Sequence, residues 1–156
     1  MIRYFTEDTT FVLKRKRLIN KWLSNVSAGR GRKVGSINYI FCSDPYLLDI
    51  NRKFLGHDYC TDIITFDNSD DYRLETGRDG VSADIYISVD TVRANGDAYG
   101  EGFEREMHRV LVHGLLHLIG YDDVTPRKQQ RMRAAENRAL SCLDAMLAEE
   151  LSAKGV

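Results

Sequence analysis

The sequence predicts an α+β fold: a single small domain with one mixed β-sheet covered by helices, and with a metal site on a central helix and the loop after it. Three observations support this prediction. The chain has 156 residues, enough for one hydrophobic core and too few for two comfortable domains, so residues 1–156 are expected to form one domain. Hydrophobic patterns of period 2 and period 3.6 alternate along the chain. Two histidines stand four residues apart on one of the predicted helices.

The first half of the chain predicts a helix, a strand and a second helix. Residues 11–26 repeat apolar side chains at helical spacing and end in the loop SAGRGR. The stretch VGSINYIFCS, which begins at residue 34, alternates as a strand does. Asp44 and Pro45 have the pattern of an N-cap followed by proline at the first helical position, and the short helix that they open is expected to stop at Gly56.

The second half predicts two more strands and three helices. TDIITFD (61–67) and SADIYISV (82–89) are rich in β-branched and aromatic residues, which is typical of strands. The polar, turn-rich NSDDYRLETGRDG between them predicts an exposed loop. The helices are expected over residues 90–99, from about Phe103 to Ile119, and from Thr125 and Pro126 to about Leu151. This order of elements favours an α+β fold.

The composition argues against membrane and disulfide-stabilised classes of protein. No apolar run approaches the roughly 18 residues that span a bilayer, and the N-terminal MIRYFTEDTTF has no basic region followed by an apolar one. We therefore expect a cytoplasmic protein with no membrane partner. The three cysteines, Cys42, Cys60 and Cys142, are odd in number and never spaced as CxxC, which argues against a disulfide framework or a thiolate zinc site.

The charge pattern allows RNA contact only at local patches. The net charge is −1, so the chain has no overall positive field that would attract a nucleic acid. The run KRKR at residues 14–17, which includes Lys14 and Arg15, is one local candidate, and the basic series between residues 127 and 138 is another. Each is compatible with a solvated helix face or with RNA phosphates, and the charges alone leave both open.

The segment HGLLHLIGYDD, residues 113–123, contains the predicted metal site. Positions four apart on a helix differ by about 40° in direction, so the rings of His113 and His117 project from the same face. Gly120 stands where a helix end favours positive φ, which lets the chain turn back and bring Asp123 towards the same ion. Two imidazoles and one carboxylate leave a fourth position for water, as in a catalytic zinc site.

An open metal site predicts hydrolysis, because the ion lowers the pKa of water to about 7. The alternative is that both histidines are ordinary half-buried core residues, since HxxxH arises readily by chance. Zinc proteases of the HExxH class have a glutamate after the first histidine, and this chain has Gly114 there. Glu106 lies two turns earlier on the helix and is not expected to replace that base. The spacing therefore favours a metallohydrolase that is not a protease of that class.

Three other polar side chains have roles that their positions suggest. His57 lies in the loop GHDYCTD and could act as a general acid or a phosphate contact, or could be a solvent-exposed loop residue. Asp62 is expected to cap the local backbone rather than to act in catalysis. His108 lies about 140° around the helix from His113, so it is not expected to be a ligand.

The stretch HGLLHLIGYDD resembles the HGxLHLxGYDH signature of the YbeY endoribonuclease family. Upstream, LDINRKFLGHDYCTDIITF is similar to the family's segment that ends in a TDVLSF-like strand, and SADIYIS resembles its GDI-type strand. Together these segments cover residues from about 47 to 125. The resemblance implies a single-strand-specific endoribonuclease with one zinc ion, acting in ribosomal RNA maturation and ribosome quality control in the bacterial cytoplasm. Its partners would be ribosomal RNA and the ribosome or ribosomal proteins.

The chain departs from the family pattern at two positions. The two matching ligands are His113 and His117, but the family motif usually ends in histidine where this chain has Asp123. A carboxylate oxygen binds zinc at about 2.0–2.2 Å, so a metal is still expected. The added negative charge is expected to make the metal-bound water less acidic. The family commonly has an arginine upstream, thought to assist at the phosphate. This chain has Leu55 there. Arg52, one turn earlier, is a candidate substitute, but a structural or surface role is favoured for it.

Two other functions stay open on the sequence alone. The chain could be a metallohydrolase of another substrate, or a non-catalytic ribosome-associated factor in which a structural zinc pins the last helix to the rest. An open water position favours an enzyme, and a closed four-ligand site favours the factor. For the endoribonuclease, the expected catalytic residues are His113 and His117, acting through the metal, with His57 as a further candidate. The expected RNA contacts are Arg52, Lys14 and Arg15.

Overall fold

The computed structural model describes residues 1–154 and confirms the predicted α+β fold class. Its strands are β1 (Ile2–Glu7), β2 (Val34–Cys42), β3 (Ile63–Asp67) and β4 (Val81–Ser88). They form one sheet in the order β1-β2-β4-β3. The pairs β1–β2 and β2–β4 are parallel and the pair β3–β4 is antiparallel, so the sheet is mixed, as predicted.

Six α-helices accompany the sheet in the described part of the chain. They are α1 (Lys16–Ala28), α2 (Asp44–Ile50), α3 (Ser69–Thr76), α4 (Val89–Ala98), α5 (Phe103–Leu118) and α6 (Pro126–Ala153). A π-helical turn, Asn51–Leu55, continues α2 and ends at Gly56, whose φ of 67° lets the chain leave the helix sharply.

The sheet separates a large core from a small one. Side chains alternate along β4 between the two faces, as a strand requires. The large core holds Ile85 and Ile87 of β4 together with apolar residues of α1, α5 and α6. On the other face, Tyr86 packs against a small cluster that contains Leu47 of α2. The helix α5, which contains the predicted metal ligands, therefore lies over the well-packed face of the sheet.

Two buried hydrogen bonds fix the helices over this face. The indole N–H of Trp22, in α1, donates to the carbonyl oxygen of Ala139, in α6, at 2.7 Å. The hydroxyl of Tyr39, in β2, donates to the carbonyl oxygen of Leu111, in α5, at 2.8 Å. A buried polar group left unpaired would cost about 1–3 kcal/mol, so both bonds specify one arrangement of sheet and helices.

β1 was not predicted from the sequence. Its six residues pair in parallel with β2, from Ile2 opposite Ile37 to Glu7 opposite Cys42. β1 is an edge strand, and only Ile2 is buried, so the strand lacks the apolar alternation that identified β2. Its place comes from pairing with a distant strand, which local periodicity does not encode.

The segment NSDDYRLETGRDG is not the loop that was predicted, because α3 occupies most of it. The prediction of exposure is correct, since none of the α3 residues is buried. Asp70 and Asp71 lie in the first turn, where negative charge favours the helix dipole, and Gly77 ends the helix with a φ of 71°. A short helix without an apolar face has no periodicity for a sequence pattern to detect.

The start of α2 is also different from the prediction. Ser43, not Asp44, is the N-cap, and its hydroxyl accepts a hydrogen bond from the backbone N–H of Tyr46 at 3.3 Å. Asp44 is the first helical residue, and its carboxylate instead accepts hydrogen bonds from the hydroxyls of Ser88 and Thr91. Pro45 stands in the first turn, where its missing N–H costs nothing. The prediction failed by one residue because serine and aspartate cap helices about equally well.

The other predicted elements are confirmed with small shifts at their ends. The first helix begins at Lys16 rather than at residue 11, after Arg15 adopts a left-handed φ of 59°. The last helix is capped as predicted, with the hydroxyl of Thr125 accepting from the backbone N–H of Lys128 at 3.2 Å. None of the helices found between residues 1 and 154 combines the length and apolar character needed to span a bilayer.

Candidate metal centre

The C-terminal half of α5 brings the two histidines of the predicted site together. The Nε2 atoms of His113 and His117 lie 3.1 Å apart, and their rings meet edge to face at 79°. Two nitrogens that bind one zinc ion tetrahedrally, at about 2.0–2.1 Å each, are about 3.3 Å apart. The nitrogen pair is therefore spaced to fit a single ion without a change of backbone.

The turn after α5 brings in the carboxylate. Gly120 has a φ of 110°, and the backbone N–H of Tyr121 reaches back to the carbonyl oxygen of Leu116 at 3.0 Å. This turn places Oδ2 of Asp123 3.9 Å from Nε2 of His113 and 3.8 Å from Nε2 of His117. The three ligand atoms lie within 4.8 Å of one another and make a possible metal-binding triad.

A cation–π contact restrains this turn from the other side. The guanidinium carbon of Arg30, which follows α1, lies 4.5 Å from the centre of the Tyr121 ring. A side chain at Gly120 would also meet Arg30, since an added Cβ would lie 3.3 Å from its Nη2. Arg30 thus holds a positive charge beside the loop that carries Asp123.

A buried carboxylate, Glu136 of α6, faces the back of His113. Oε2 of Glu136 lies 2.7 Å from Nδ1 of His113, and Oε1 accepts a hydrogen bond from Nη1 of Arg109 at 3.0 Å. The same Arg109 nitrogen donates to Oδ1 of Asn137 at 3.0 Å. Only 4% of the Glu136 surface is exposed. Nε2 of His113 is therefore the nitrogen left free to face His117 and Asp123.

Glu136 was not predicted from the sequence, although a signal for it was present. Glu136 lies on the same stripe of α6 as the buried apolar residues Met132, Ala139 and Leu140. A glutamate on the buried stripe of an amphipathic helix is rarely without a charged or hydrogen-bonded partner. The pattern could have predicted a buried ion pair, but not that its second partner is a histidine 23 residues earlier in the chain.

The electrostatic surroundings favour an ionised Glu136 and a neutral His117. Burial raises the pKa of Glu136, but hydrogen bonds from His113 and Arg109 outweigh burial and hold this pKa below its usual range. Burial and the nearby His113 lower the pKa of His117. For His113, burial lowers the pKa, whereas the hydrogen bond and charge of Glu136 raise it, and the net shift is upward. A metal ion would have to displace a proton from His113 at low pH.

A polar cavity of about 180 Å³ opens beside His113, and Asp62 and Glu106 line it with Glu136. Glu106 precedes His113 by seven residues, about two full turns, so both side chains face the same side of α5. Burial raises the pKa of Glu106 and that of Asp62, the residue before β3. The backbone N–H groups of Asp62 and Ile63 oppose this rise in the pKa of Asp62.

The absence of a glutamate at position 114 has a structural reason. A Cβ added to Gly114 would lie 3.0 Å from Cδ1 of Ile63 and 3.3 Å from Cγ2 of Ile85. Gly114 thus lets α5 approach β3 and β4 closely, and a larger side chain would have to push the helix away from the sheet. The protease pattern HExxH does not fit this packing.

Arg52 lies in the π-helical turn Asn51–Leu55 and His57 in the loop after it, and each contacts a polar neighbour in that loop. The hydroxyl of Tyr59 lies 3.0 Å from Nδ1 of His57, and the two rings are stacked with centres 5.1 Å apart. Arg52 forms an ion pair with Asp58. Leu55, at the position where an arginine was expected from the resemblance, is substantially exposed. None of these residues belongs to the metal-binding triad found among residues 1–154.

The basic residues at the start of α1 lie far from the triad. Nη1 of Arg15 pairs with Oε2 of Glu150 at 3.3 Å, and Lys14 is exposed beside it. Glu150 follows Glu136 by fourteen residues on α6, which corresponds to about 21 Å along a helix. Lys14 and Arg15 could therefore contact only a part of an RNA that is remote from the triad.

Comparison with known proteins identifies the same family across most of the chain. The family described as "Endoribonuclease YbeY" matches residues 3–144. A protein named Endoribonuclease YbeY from Phocaeicola vulgatus is 44% identical over 143 residues, which cover 92% of this chain and 99% of that protein. Its namesake from Cytophaga hutchinsonii is 45% identical over 140 residues, which cover 90% of this chain and 94% of that protein.

A solved structure has a similar fold. The solution structure of TM1509 from Thermotoga maritima matches 97% of this chain and 93% of its own length, with a TM-score of 0.62. The sequence identity is 24%, so this likeness supports the fold alone.

Proposed function

We propose that this chain, which belongs to the YbeY endoribonuclease family, is a zinc enzyme specific for single-stranded RNA. As a member of that family it is a hydrolase that cleaves phosphodiester bonds within RNA. We further propose that its substrate is ribosomal RNA, and that it acts in rRNA maturation and ribosome quality control in the cytoplasm. Partners would be the ribosome or ribosomal proteins that present the RNA.

The observation that carries the zinc proposal is the convergence of His113, His117 and Asp123. Their ligand atoms lie within 4.8 Å of one another, and two imidazole nitrogens with one carboxylate oxygen are a donor set typical of catalytic zinc. The turn leaves the triad half-exposed rather than closed by a fourth side chain, since no further histidine, cysteine or acid of residues 1–154 joins it. When bound, zinc supplies Lewis-acid activation of water and of the phosphodiester.

Residues outside the triad would position the RNA rather than hold the metal. Arg30 stands beside the loop that carries Asp123 and offers a charge to a phosphate next to the cleaved bond. Arg52 has to exchange Asp58 for a phosphate before it can contribute, so we expect its effect to be modest. His57 is exposed and available as a proton donor or phosphate contact, although Tyr59 already engages its Nδ1. Lys14 and Arg15 would contact RNA remote from cleavage.

The decisive experiment combines metal loading with RNA cleavage. Zinc-loaded protein is incubated with unpaired fragments of ribosomal RNA and with duplexes of the same sequence, beside the variants His113→Ala and His117→Ala. We expect the wild type, and neither histidine variant, to cleave the unpaired fragments. The control is Glu104→Gln, an exposed position on the same helix, which should cleave as the wild type does.

Each other outcome points to a specific alternative. Equal cleavage by wild type and both histidine variants would identify a contaminating nuclease. Zinc binding without cleavage of any RNA would favour the non-catalytic ribosome-associated factor, and cleavage of phosphodiesters other than RNA would favour a metallohydrolase of another substrate.

A further inference from the structure

A hydrogen-bonded series of three side chains connects α5 and α6 at the metal centre: Arg109 of α5, Glu136 of α6 and His113 of α5. Arg109 donates to Glu136 at 3.0 Å, and Glu136 meets Nδ1 of His113 at 2.7 Å. Arg109 and Glu136 are 6% and 4% exposed, so water does not compete for these bonds. The series ends at Nδ1 of His113, the ring nitrogen that points away from the proposed metal.

The ion pair has little reason to exist for stability alone. Burying two charges costs several kcal/mol of desolvation, which their attraction offsets only when every polar group is satisfied. Nε of Arg109 is buried without a hydrogen-bond partner in the described residues, so satisfaction is incomplete. Apolar pairs of similar volume are often at least as stable as buried ion pairs, so stability alone does not account for Glu136, and its contact with His113 suggests a role there.

We propose that Glu136 is a positioning residue. Its carboxylate accepts a hydrogen bond from the Nδ1–H of His113, which fixes the ring and directs Nε2 towards the metal. Nε2 is the atom that lies 3.1 Å from Nε2 of His117 and 3.9 Å from Oδ2 of Asp123. A carboxylate behind an imidazole selects the tautomer, orients the ring and makes the metal-binding nitrogen more basic. Arg109 keeps the carboxylate in place from the other side.

This inference rests on the proposed metal site but not on the proposed RNA substrate. Zinc affinity is therefore measured without RNA, by competition with a chelator of known affinity. Glu136→Gln keeps the shape and an oxygen acceptor but removes the charge. We expect its zinc dissociation constant to rise about 10- to 100-fold, the usual effect of losing such a carboxylate.

Glu101→Gln is the matched control because Glu101 is a second carboxylate beside the same arginine. Its Oε2 lies 3.5 Å from Nη2 of Arg109, and its bond does not involve His113. The substitution makes the same chemical change at the arginine and should leave zinc affinity unchanged. An equal loss in both variants would mean that Arg109 packing, not the carboxylate on His113, determines affinity, and would overturn the proposal.

Two further readouts separate positioning from a general loss of fold. Long-range proton–nitrogen NMR of the zinc-free protein at neutral pH and above should show the Nδ1–H tautomer of His113 in the wild type and a mixture of tautomers in Glu136→Gln. The visible spectrum of the cobalt-substituted protein should change in Glu136→Gln but not in Glu101→Gln. Unchanged tautomer, spectrum and zinc affinity in Glu136→Gln would refute the positioning role.

Failure of the proposed function is distinguishable from failure of this inference. If zinc binds with the predicted difference between Glu136→Gln and Glu101→Gln but no RNA is cleaved, the positioning role stands and the endoribonuclease proposal fails. If RNA is cleaved and both variants bind zinc as the wild type does, the positioning role fails alone. The melting temperature of both variants in a chelator reports any fold defect separately.

Discussion

Two stretches of α5 surround their histidines in opposite ways. His108 is 8% exposed, and its ring meets Trp22 of α1 edge to face, with ring centres 6.3 Å apart. His113 and His117 are half-buried and meet Glu136 of α6 and Asp123 of the following loop. Burial lowers the pKa of His108, whereas the Glu136 carboxylate overcomes burial and raises the pKa of His113.

The position of a residue in a helix determines the direction in which its side chain points, but not the neighbours that the side chain meets. Five residues correspond to about 140° around the helix, so His108 and His113 face different neighbours. What those neighbours are is decided by α1, by α6 and by the turn at Gly120, all of which come from elsewhere in the chain. A buried ring against tryptophan is packing, and a ring between two carboxylates is a candidate for chemistry.

The largest expected effect contrasts the two kinds of histidine directly. His117→Ala removes one donor of the triad, and we expect its zinc dissociation constant to rise about 1000-fold or more, because a site of three protein ligands loses one. His108→Gln should leave zinc affinity within about twofold of the wild type, since distant sites behave independently. Chelator competition measures both. A comparable loss in His108→Gln would contradict the separation of the two regions.

The next effect tests the packing between these regions, at Gly114. Gly114→Glu would create HExxH, yet the side chain would have to enter the space occupied by Ile63 and Ile85. We expect the free energy of unfolding to fall by about 3 kcal/mol or more, through overpacking and a desolvated charge. Gly114→Ala should change it by less than about 1 kcal/mol, since helix propensity offsets mild crowding. Urea unfolding measures both, and equal midpoints for wild type and Gly114→Glu would show that the contact is loose.

The sequence was sufficient for the elements that have strong periodicity. The stripe of α5, the alternation of β2 and β4, and the threonine–proline start of α6 each encode their own structure locally. β1 and α3 were missed because one depends on pairing with β2 and the other has no apolar face. Local patterns contain neither piece of information.

The site was predictable only as far as one segment of chain reaches. His113, His117 and Asp123 come from eleven consecutive residues, so their convergence follows from helix and turn geometry. Glu136 comes from another helix, and Asp62, the residue before β3, lines the same cavity. Their proximity depends on how α6 and the sheet pack on α5, which no spacing along the sequence expresses.

A moderate effect is expected at Asp123, the residue that differs from the family motif. Asp123→Ala should raise the zinc dissociation constant about 10-fold or more, a smaller loss than in His117→Ala, because the Asp123 side chain is 51% exposed and water can take its place while both histidines stay. Asp123→His should preserve or tighten binding, since imidazole is an equally good zinc ligand. Chelator competition is again the measurement. If both variants bind zinc as the wild type does, Asp123 is not a ligand and the third donor must be sought elsewhere.

The smallest effect is the contribution of His108 to the pH dependence of stability. Burial lowers the pKa of His108, and the nearby positive charge of Arg105 lowers it further. The negative charges of Glu104 and Asp144 oppose this shift. In the unfolded chain His108 regains its ordinary value of 6.5. Below pH 6.5, His108 becomes protonated in the unfolded state but stays neutral in the folded state until the pH reaches its lower folded-state pKa. Stability is therefore lost as pH falls through the window below 6.5.

His108→Gln isolates this contribution, because the variant retains every other titrating group. We expect the zinc-free wild type to lose more unfolding free energy than His108→Gln between pH 7 and pH 5, which are about the limits of histidine titration. Urea unfolding in the presence of a chelator measures the difference and removes the coupling to metal. His113 opposes this slope, since its raised pKa stabilises the zinc-free fold at low pH, but it does so equally in both proteins. Identical slopes would mean that His108 takes up its proton in the folded state, and that its contact with Trp22 admits water.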